Sequence, residues 1–231
     1  MKNYVGGDNK MLLYIIRHAD PIYNPDSLTE RGKIQAQALA KRLYKCGINK
    51  IYSSPCGRAA ETAKATSCLT GINIQTADWT KEVYDELSVT LPCGKKKFAV
   101  NLDGTVFRSD ENLMLGDKWY NAKELSTVNA KKVYDTICNN SDTFLQKLGY
   151  SRQNGVYKIT ASNDDKVAVF CHAGFITLWL AHLLNLSPAM LMAGIGIKHT
   201  GVTIIEFENS ETGYTTPYCL CLSDTSHLYN I

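Results

Sequence analysis

Apolar and polar positions fall in alternating blocks along this chain. Leu12–Ile16 lies in an unbroken apolar run that ends at Arg17, and it predicts a buried strand. After a polar turn, Ile34, Ala38, Leu39, Leu43 and Cys46 recur at the spacing of one helical face, so Glu30–Cys46 is expected to be a helix. Ser27 and Glu30 are spaced as a capping box before it, and Gly47 is placed to end it. Lys50–Ser53 is a short strand. Pro55 then introduces an Ala-rich helix from about Gly57 to Leu69, and Ile72–Thr76 is a third strand.

Residues 83–127 interrupt this rhythm with weak periodicity and many polar positions, including the run Lys95–Lys97. They have too little apolar content for a core of their own and are expected to form an insertion. Asn129–Leu148 returns to helix. Val167–Cys171 is apolar throughout, as a strand covered on both faces would be, and Phe175–Leu186 predicts a buried helix. Gly201–Glu208 and Tyr214–Leu222 are strands joined as a hairpin through Thr212-Gly213. Strands alternating with helices predict an α/β three-layer sandwich. Its sheet is mostly parallel, with helices on both faces and an antiparallel edge. Residues 1–10, polar and Gly-bearing, are expected to be a loose extension to a single domain over 11–231.

Composition narrows the partners. At 231 residues the chain suffices for one sizeable domain, and 45% hydrophobic with 20% charged residues is ordinary for a globular protein. A net charge of +3, spread along the chain, does not point to nucleic acid or membrane but suits a small anionic substrate. The eight cysteines include no Cys-x-x-Cys pair, and several lie in apolar runs, which argues against a zinc site or a disulfide framework. The apolar run Met11–Ile16 is too short for a signal segment or a membrane span. A reducing, cytoplasmic setting is expected.

In parallel sheets, ligands bind beyond the carboxyl ends of the strands. Three predicted strands run there into Arg17-His18-Ala19-Asp20, Ser53-Ser54-Pro55-Cys56-Gly57-Arg58 and His172-Ala173-Gly174. Two arginines, two histidines and small residues that let backbone amides approach would thus meet at one edge. Guanidinium forks, imidazolium donors and a helix N-terminus are what a phosphoryl dianion requires. Other phosphate chemistries are excluded by counting: no cysteine has arginine six positions later, and no Gly-x4-Gly-Lys-Ser/Thr occurs.

The ordered motifs resemble the histidine phosphatase superfamily, which includes cofactor-dependent phosphoglycerate mutases. They are Arg17-His18-Ala19-Asp20-Pro21-Ile22-Tyr23-Asn24, Leu28-Thr29-Glu30-Arg31-Gly32 and Tyr52-Ser53-Ser54-Pro55, with Arg58-Ala59 and Glu61-Thr62-Ala63. Cys171-His172-Ala173-Gly174, His199-Thr200-Gly201-Val202 and Asp224-Thr225-Ser226-His227-Leu228 follow. The resemblance covers about residues 11–228 and thins over 83–127. Ala19 departs from the family's usual glycine, and alanine restricts positive φ there.

The resemblance implies a phosphomonoester hydrolase with a phosphohistidine intermediate on His18, needing no metal or other cofactor. His18 attacks phosphorus while neutral, a state favoured by nearby cations. Arg17, Arg58 and His172 hold the phosphoryl oxygens; Asn24, at the motif's asparagine, is a further donor, and Ala173 completes the binding site. By alignment Glu82 is the general acid, with Asp85 and Glu86 near in sequence. His199 and His227 are expected to be structural, bonding to backbone, His182 to be a packed or interface residue, and Lys95–Lys97 to be solvated. The alternatives are a phosphoglycerate mutase-type phosphotransferase, whose longer substrate motifs are not found in 83–127, and a non-catalytic phospholigand-binding module, which usually loses the nucleophile or an arginine. The substrate expected is a phosphorylated small molecule.

Overall fold

The computed structural model describes residues 10–229 and 231, so 1–9 of the expected N-terminal extension lie outside the described residues. Six strands build the main sheet: β1 (Lys10–Arg17), β2 (Lys50–Ser53), β3 (Ile74–Thr76), β4 (Lys166–Cys171), β5 (Val202–Glu208) and β6 (Tyr218–Asp224). Their order is β6-β5-β1-β4-β2-β3. The β1, β4, β2 and β3 neighbours run parallel, while β5 and β6 form an antiparallel edge beside β1.

Side-chain alternation explains why the strands read as continuous apolar runs. Leu13, Ile15, Val167, Val169 and Phe207 join one buried cluster, and Tyr14, Ile16, Ala168 and Phe170 join another on the opposite face. The helices α1 (Glu30–Cys46) and α2 (Gly57–Thr70) cover the second face through Leu39, Leu43 and Ala63. On the first face lie α3 (Ala130–Lys147) and α4 (Ala173–Leu184), with the short α5 (Pro188–Gly194) beside α4. The architecture is the expected three-layer α/β sandwich.

Several details differ from the pattern-based expectation. The N-cap of α1 is Thr29, not Ser27: Thr29 Oγ1 accepts from the Gly32 N–H at 2.9 Å and donates to Asp20 Oδ2 at 2.7 Å. The buried face of α1 is Gln35, Ala36, Leu39, Ala40 and Leu43, whereas Ile34 is 54% exposed. Polar Gln35 is buried because its Oε1 accepts the Asp20 N–H. Tyr214–Leu222 is not one strand paired to β5. Tyr214–Thr215 pairs instead with Val156–Ile159, and β6 begins only after Pro217, which has no N–H to donate to a ladder. The hydrophobic pattern also passes over the hairpin Tyr150–Gln153/Val156–Ile159, although Asn154-Gly155 carries its turn signal and Asn154 has φ 57°.

Residues 83–127 fold into the hairpin Ser88–Thr90/Lys96–Phe98 and a series of short helical turns. Their buried side chains, among them Leu87, Phe98, Phe107, Trp119 and Leu125, belong to the same cluster as Val167 and Trp179. Among the described residues, no helix is long and apolar enough to cross a membrane.

Candidate active site

Strand register brings the charged residues together. Arg17 is level with Cys171 across β1 and β4, Phe170 with Ser53, and Ser53 with Thr76. Hydrogen bonding continues one step further: the His18 N–H donates to Cys171 O and the Ser54 N–H to Phe170 O, each at 2.9 Å. His18, Ser54 and His172 therefore leave the sheet side by side. The His18 and His172 ring centroids are 5.2 Å apart.

His18 is 2% exposed, and its Nδ1 lies 2.8 Å from Ala19 O. A carbonyl only accepts, so Nδ1 carries the proton and Nε2 keeps its lone pair. Burial, reinforced by Arg17 and Arg58, lowers its pKa from 6.5 to about 3. Desolvation thus outweighs the cations in keeping the ring neutral. Ala19 is itself fully buried, gives its N–H to Thr62 Oγ1 and is not among the residues with positive φ, so the family's glycine is dispensable here.

His172 was expected as an imidazolium donor; burial, with His18, Arg58 and Arg17 adding to it, lowers its pKa to about 2 and leaves it neutral. It can still donate. Nε2 sits 2.9 Å from Ser54 Oγ, which also accepts the Cys56 N–H at 3.3 Å. If the Ser54 proton points to Nε2, the ring's own proton stands on Nδ1, which is buried and has no partner among the described residues.

The two arginines are anchored on their outer sides. Arg17 Nη1 donates to Ile197 O at 2.6 Å, and Arg58 Nη1 meets Asp26 Oδ1 at 2.9 Å while lying over the Tyr23 ring. The Nε atoms of both are buried without a partner among the described residues. Glu82 accepts from the N–H groups of Gly174 and Phe175 at 3.2 and 3.0 Å, so it caps α4 from outside the helix. Burial raises its pKa against the opposing pull of these N–H groups, that of Val83 and Arg58. Gly174 permits this approach, since a Cβ there would lie 2.3 Å from Phe98 Cζ and 2.8 Å from Glu82 Oε1.

Arg17, His18, Arg58, Glu82, Ala173 and Gly174 line a cavity of about 690 Å³, and His172 is buried beside His18. Tyr23, Tyr84, Phe98, Val100, Ile195 and Ile197 supply the rest of its wall, together with Asn101, Thr177 and Gly196. This wall was not anticipated residue by residue; only Tyr23 lay within a motif. Asn24 is not brought in. It is exposed in the turn between Pro21–Tyr23 and Asp26–Leu28 and does not line the cavity. Asp85 and Glu86 are exposed and lie outside the lining too.

Of the motif histidines, His227 bonds to side chains, not to backbone as expected, and His199 faces a carboxylate. His199 Nδ1 is 3.5 Å from Asp20 Oδ1, and its ring centroid is 5.5 Å from that of His18. His227 Nε2 is 3.0 Å from Thr200 Oγ1, with Arg42 Nη1 facing Nδ1 at 3.4 Å. His182 is packed at 8% exposure against Asp142, 2.7 Å away.

The sequence profile of the histidine phosphatase superfamily (branch 1) matches residues 13–84 and 151–217, more than half of the chain. A Hydrogenobacter thermophilus protein, provisionally named phosphoserine phosphatase 2, is 37% identical over 71 residues, which span 27% of this chain and only 35% of that relative. Among solved structures, phosphoserine phosphatase of Entamoeba histolytica in complex with 3-phosphoglyceric acid aligns with a TM-score of 0.61 at 20% identity, covering 94% of this chain and 99% of that one. A mycobacterial glucosyl-3-phosphoglycerate phosphatase aligns with a TM-score of 0.62 at 19% identity, covering 93% and 99%. At such identities these structures share the fold.

Proposed function

The chain belongs to the histidine phosphatase superfamily, branch 1, and from that membership we propose that it hydrolyses phosphomonoesters through a phosphohistidine on His18. The observation that carries this reading is the state of His18: neutral, proton held at Nδ1 by Ala19 O, and lone pair at Nε2 beside two arginines and a second histidine. Nε2 attacks phosphorus in line. Arg17, Arg58 and His172 hold the non-bridging oxygens and offset the charge that builds in the transition state. Both guanidinium groups line the cavity in which the phosphoryl group would sit.

Glu82 protonates the leaving alkoxide, a role its raised pKa supports, and afterwards takes a proton from the water that hydrolyses the phosphohistidine. Ala173, at the start of α4, borders the phosphoryl position. Charge neutralisation by guanidinium makes no demand for a metal. Residues 11–231 act as one domain in which 83–127 is an insertion over the site. The substrate is a small phosphorylated molecule, with no role for nucleic acid or membrane, and the eight free cysteines suit a reducing, cytoplasmic setting.

The test is His18→Ala. Turnover of any phosphomonoester should fall by several powers of ten while the fold persists, because the covalent route is lost. Acid-labile, base-stable phosphate trapped on the wild type should be missing from the variant. Persistent turnover above about one percent would reject His18 as nucleophile.

A further inference from the structure

Beyond the phosphoryl end, the cavity has a definite chemistry. Tyr84, Phe98 and Val100 come from the inserted segment, Tyr23 from the small hairpin after β1, and Ile195 and Ile197 from the loop after α5. The Tyr84 and Phe98 rings lie 5.3 Å apart, and Tyr23 and Tyr84 are 68% and 49% exposed at the mouth. Asn101 and Thr177 are the neutral polar residues of this wall. Among the described residues, Arg17 and Arg58 are the only cationic side chains in the lining, and both belong to the phosphoryl site.

No third cation is supplied by the inserted segment. Lys95 and Lys96 are exposed, and Lys97 points away from Phe98 by strand alternation; none of them lines the cavity. Arg108, which packs at Gly194, is not in the lining either. The remaining charged group is Glu82, which repels a second anion whenever it is ionised. A leaving group with a carboxylate would therefore lose its hydration against apolar rings with nothing to pair it. An uncharged, largely apolar or aromatic alcohol would gain from the same rings, in a cavity within the roughly 300–1,000 Å³ range of drug-sized ligands.

We propose that the preferred substrates are phosphomonoesters of uncharged apolar or aromatic alcohols, and that carboxylated esters such as phosphoserine and 3-phosphoglycerate are disfavoured. This rests on the phosphatase reading and narrows it. It also separates this chain from fold relatives whose complexes and names carry carboxylated phosphoesters.

The experiment compares kcat/KM for 2-phenylethyl phosphate, phosphoserine and 3-phosphoglycerate. The first is an alkyl ester, so an acidic leaving group does not favour it. It should exceed both carboxylated esters by tenfold or more, about 1.4 kcal/mol per factor of ten. Tyr84→Ser should narrow that ratio at least fivefold, chiefly through a higher KM for the phenylethyl ester. Val100→Lys, which adds a cation to the wall, should raise kcat/KM for 3-phosphoglycerate severalfold. Equal or better turnover of the carboxylated esters by the wild type would overturn the substrate assignment and leave the phosphatase reading standing. Absence of phosphohistidine and of turnover with every ester would overturn both.

Discussion

At the scale of single residues the site depends on protons being held in particular places. His18 keeps its proton on Nδ1 and, with its pKa at about 3, stays nucleophilic well below neutrality. No loss of activity centred on 6.5 is therefore expected from this ring as pH falls. Glu82 has the opposite requirement. Two N–H groups of α4 favour its ionised form, but burial prevails and raises its pKa, so a protonated fraction persists at higher pH than for a free carboxyl. Hydrolysis of alkyl esters should decline as pH rises through that pKa, because the protonated form is the one consumed. Glu82→Gln should remove this limb and slow alkyl ester hydrolysis by about 10²–10⁴-fold. With p-nitrophenyl phosphate, whose leaving group needs little protonation, the phosphohistidine burst should be nearly spared. Equal loss of the first step for both ester classes would take the acid role away from Glu82.

Elements explain why the strand-end residues meet and how far this could be read in advance. Thr29 ties the start of α1 to the loop after His18 through its bonds to Gly32 and Asp20. Gly32 lets that loop come close, as a Cβ there would lie 2.2 Å from Asp20 O. Thr29→Ala should cost about 0.5–2 kcal/mol of stability, as for other N-caps, whereas Ser27→Ala, which removes only a bond to Pro25 O, should cost little by urea denaturation. The reverse order would restore Ser27 as the cap. The limits of α1 and β2 were legible because helical and strand periods are local, and Arg17, His18, Arg58 and His172 were legible because they follow such strands. The cap, the burial of Gln35 and the exposure of Ile34 depend on a loop brought in by tertiary contact. Asn24 was misplaced because motif order does not say which way a turn faces. The apolar wall was hidden for another reason: residues 84–101 pack against a neighbour's face without a repeating pattern of their own.

Over the whole molecule, the buried rings tie stability to pH. The pKa values of His18 and His172 are lowered to about 3 and about 2, chiefly by burial, and those of His199 and His227 to about 4. In the unfolded chain each ring takes up a proton near 6.5. As pH falls below 6.5 the unfolded state therefore binds more protons than the native state, and stability declines with acidification. His18 and His172, 2% and 0% exposed, together set a limiting slope of about 2.7 kcal/mol per pH unit between 6.5 and roughly 3. Glu82 works in the other direction: its raised native pKa means the folded state gains a proton first as pH falls, offsetting part of the loss. Four rings outweigh one carboxyl, so the urea midpoint should fall steadily from pH 7.5 to pH 5. His172→Gln, which removes one of the titrating rings, should flatten that slope by about 1.4 kcal/mol per pH unit at its limit, whatever it does to activity. A midpoint independent of pH across this range would mean that the rings take up protons in the native protein as readily as in the unfolded chain. His18 would then lose the lone pair that attacks phosphorus as pH fell through 6.5.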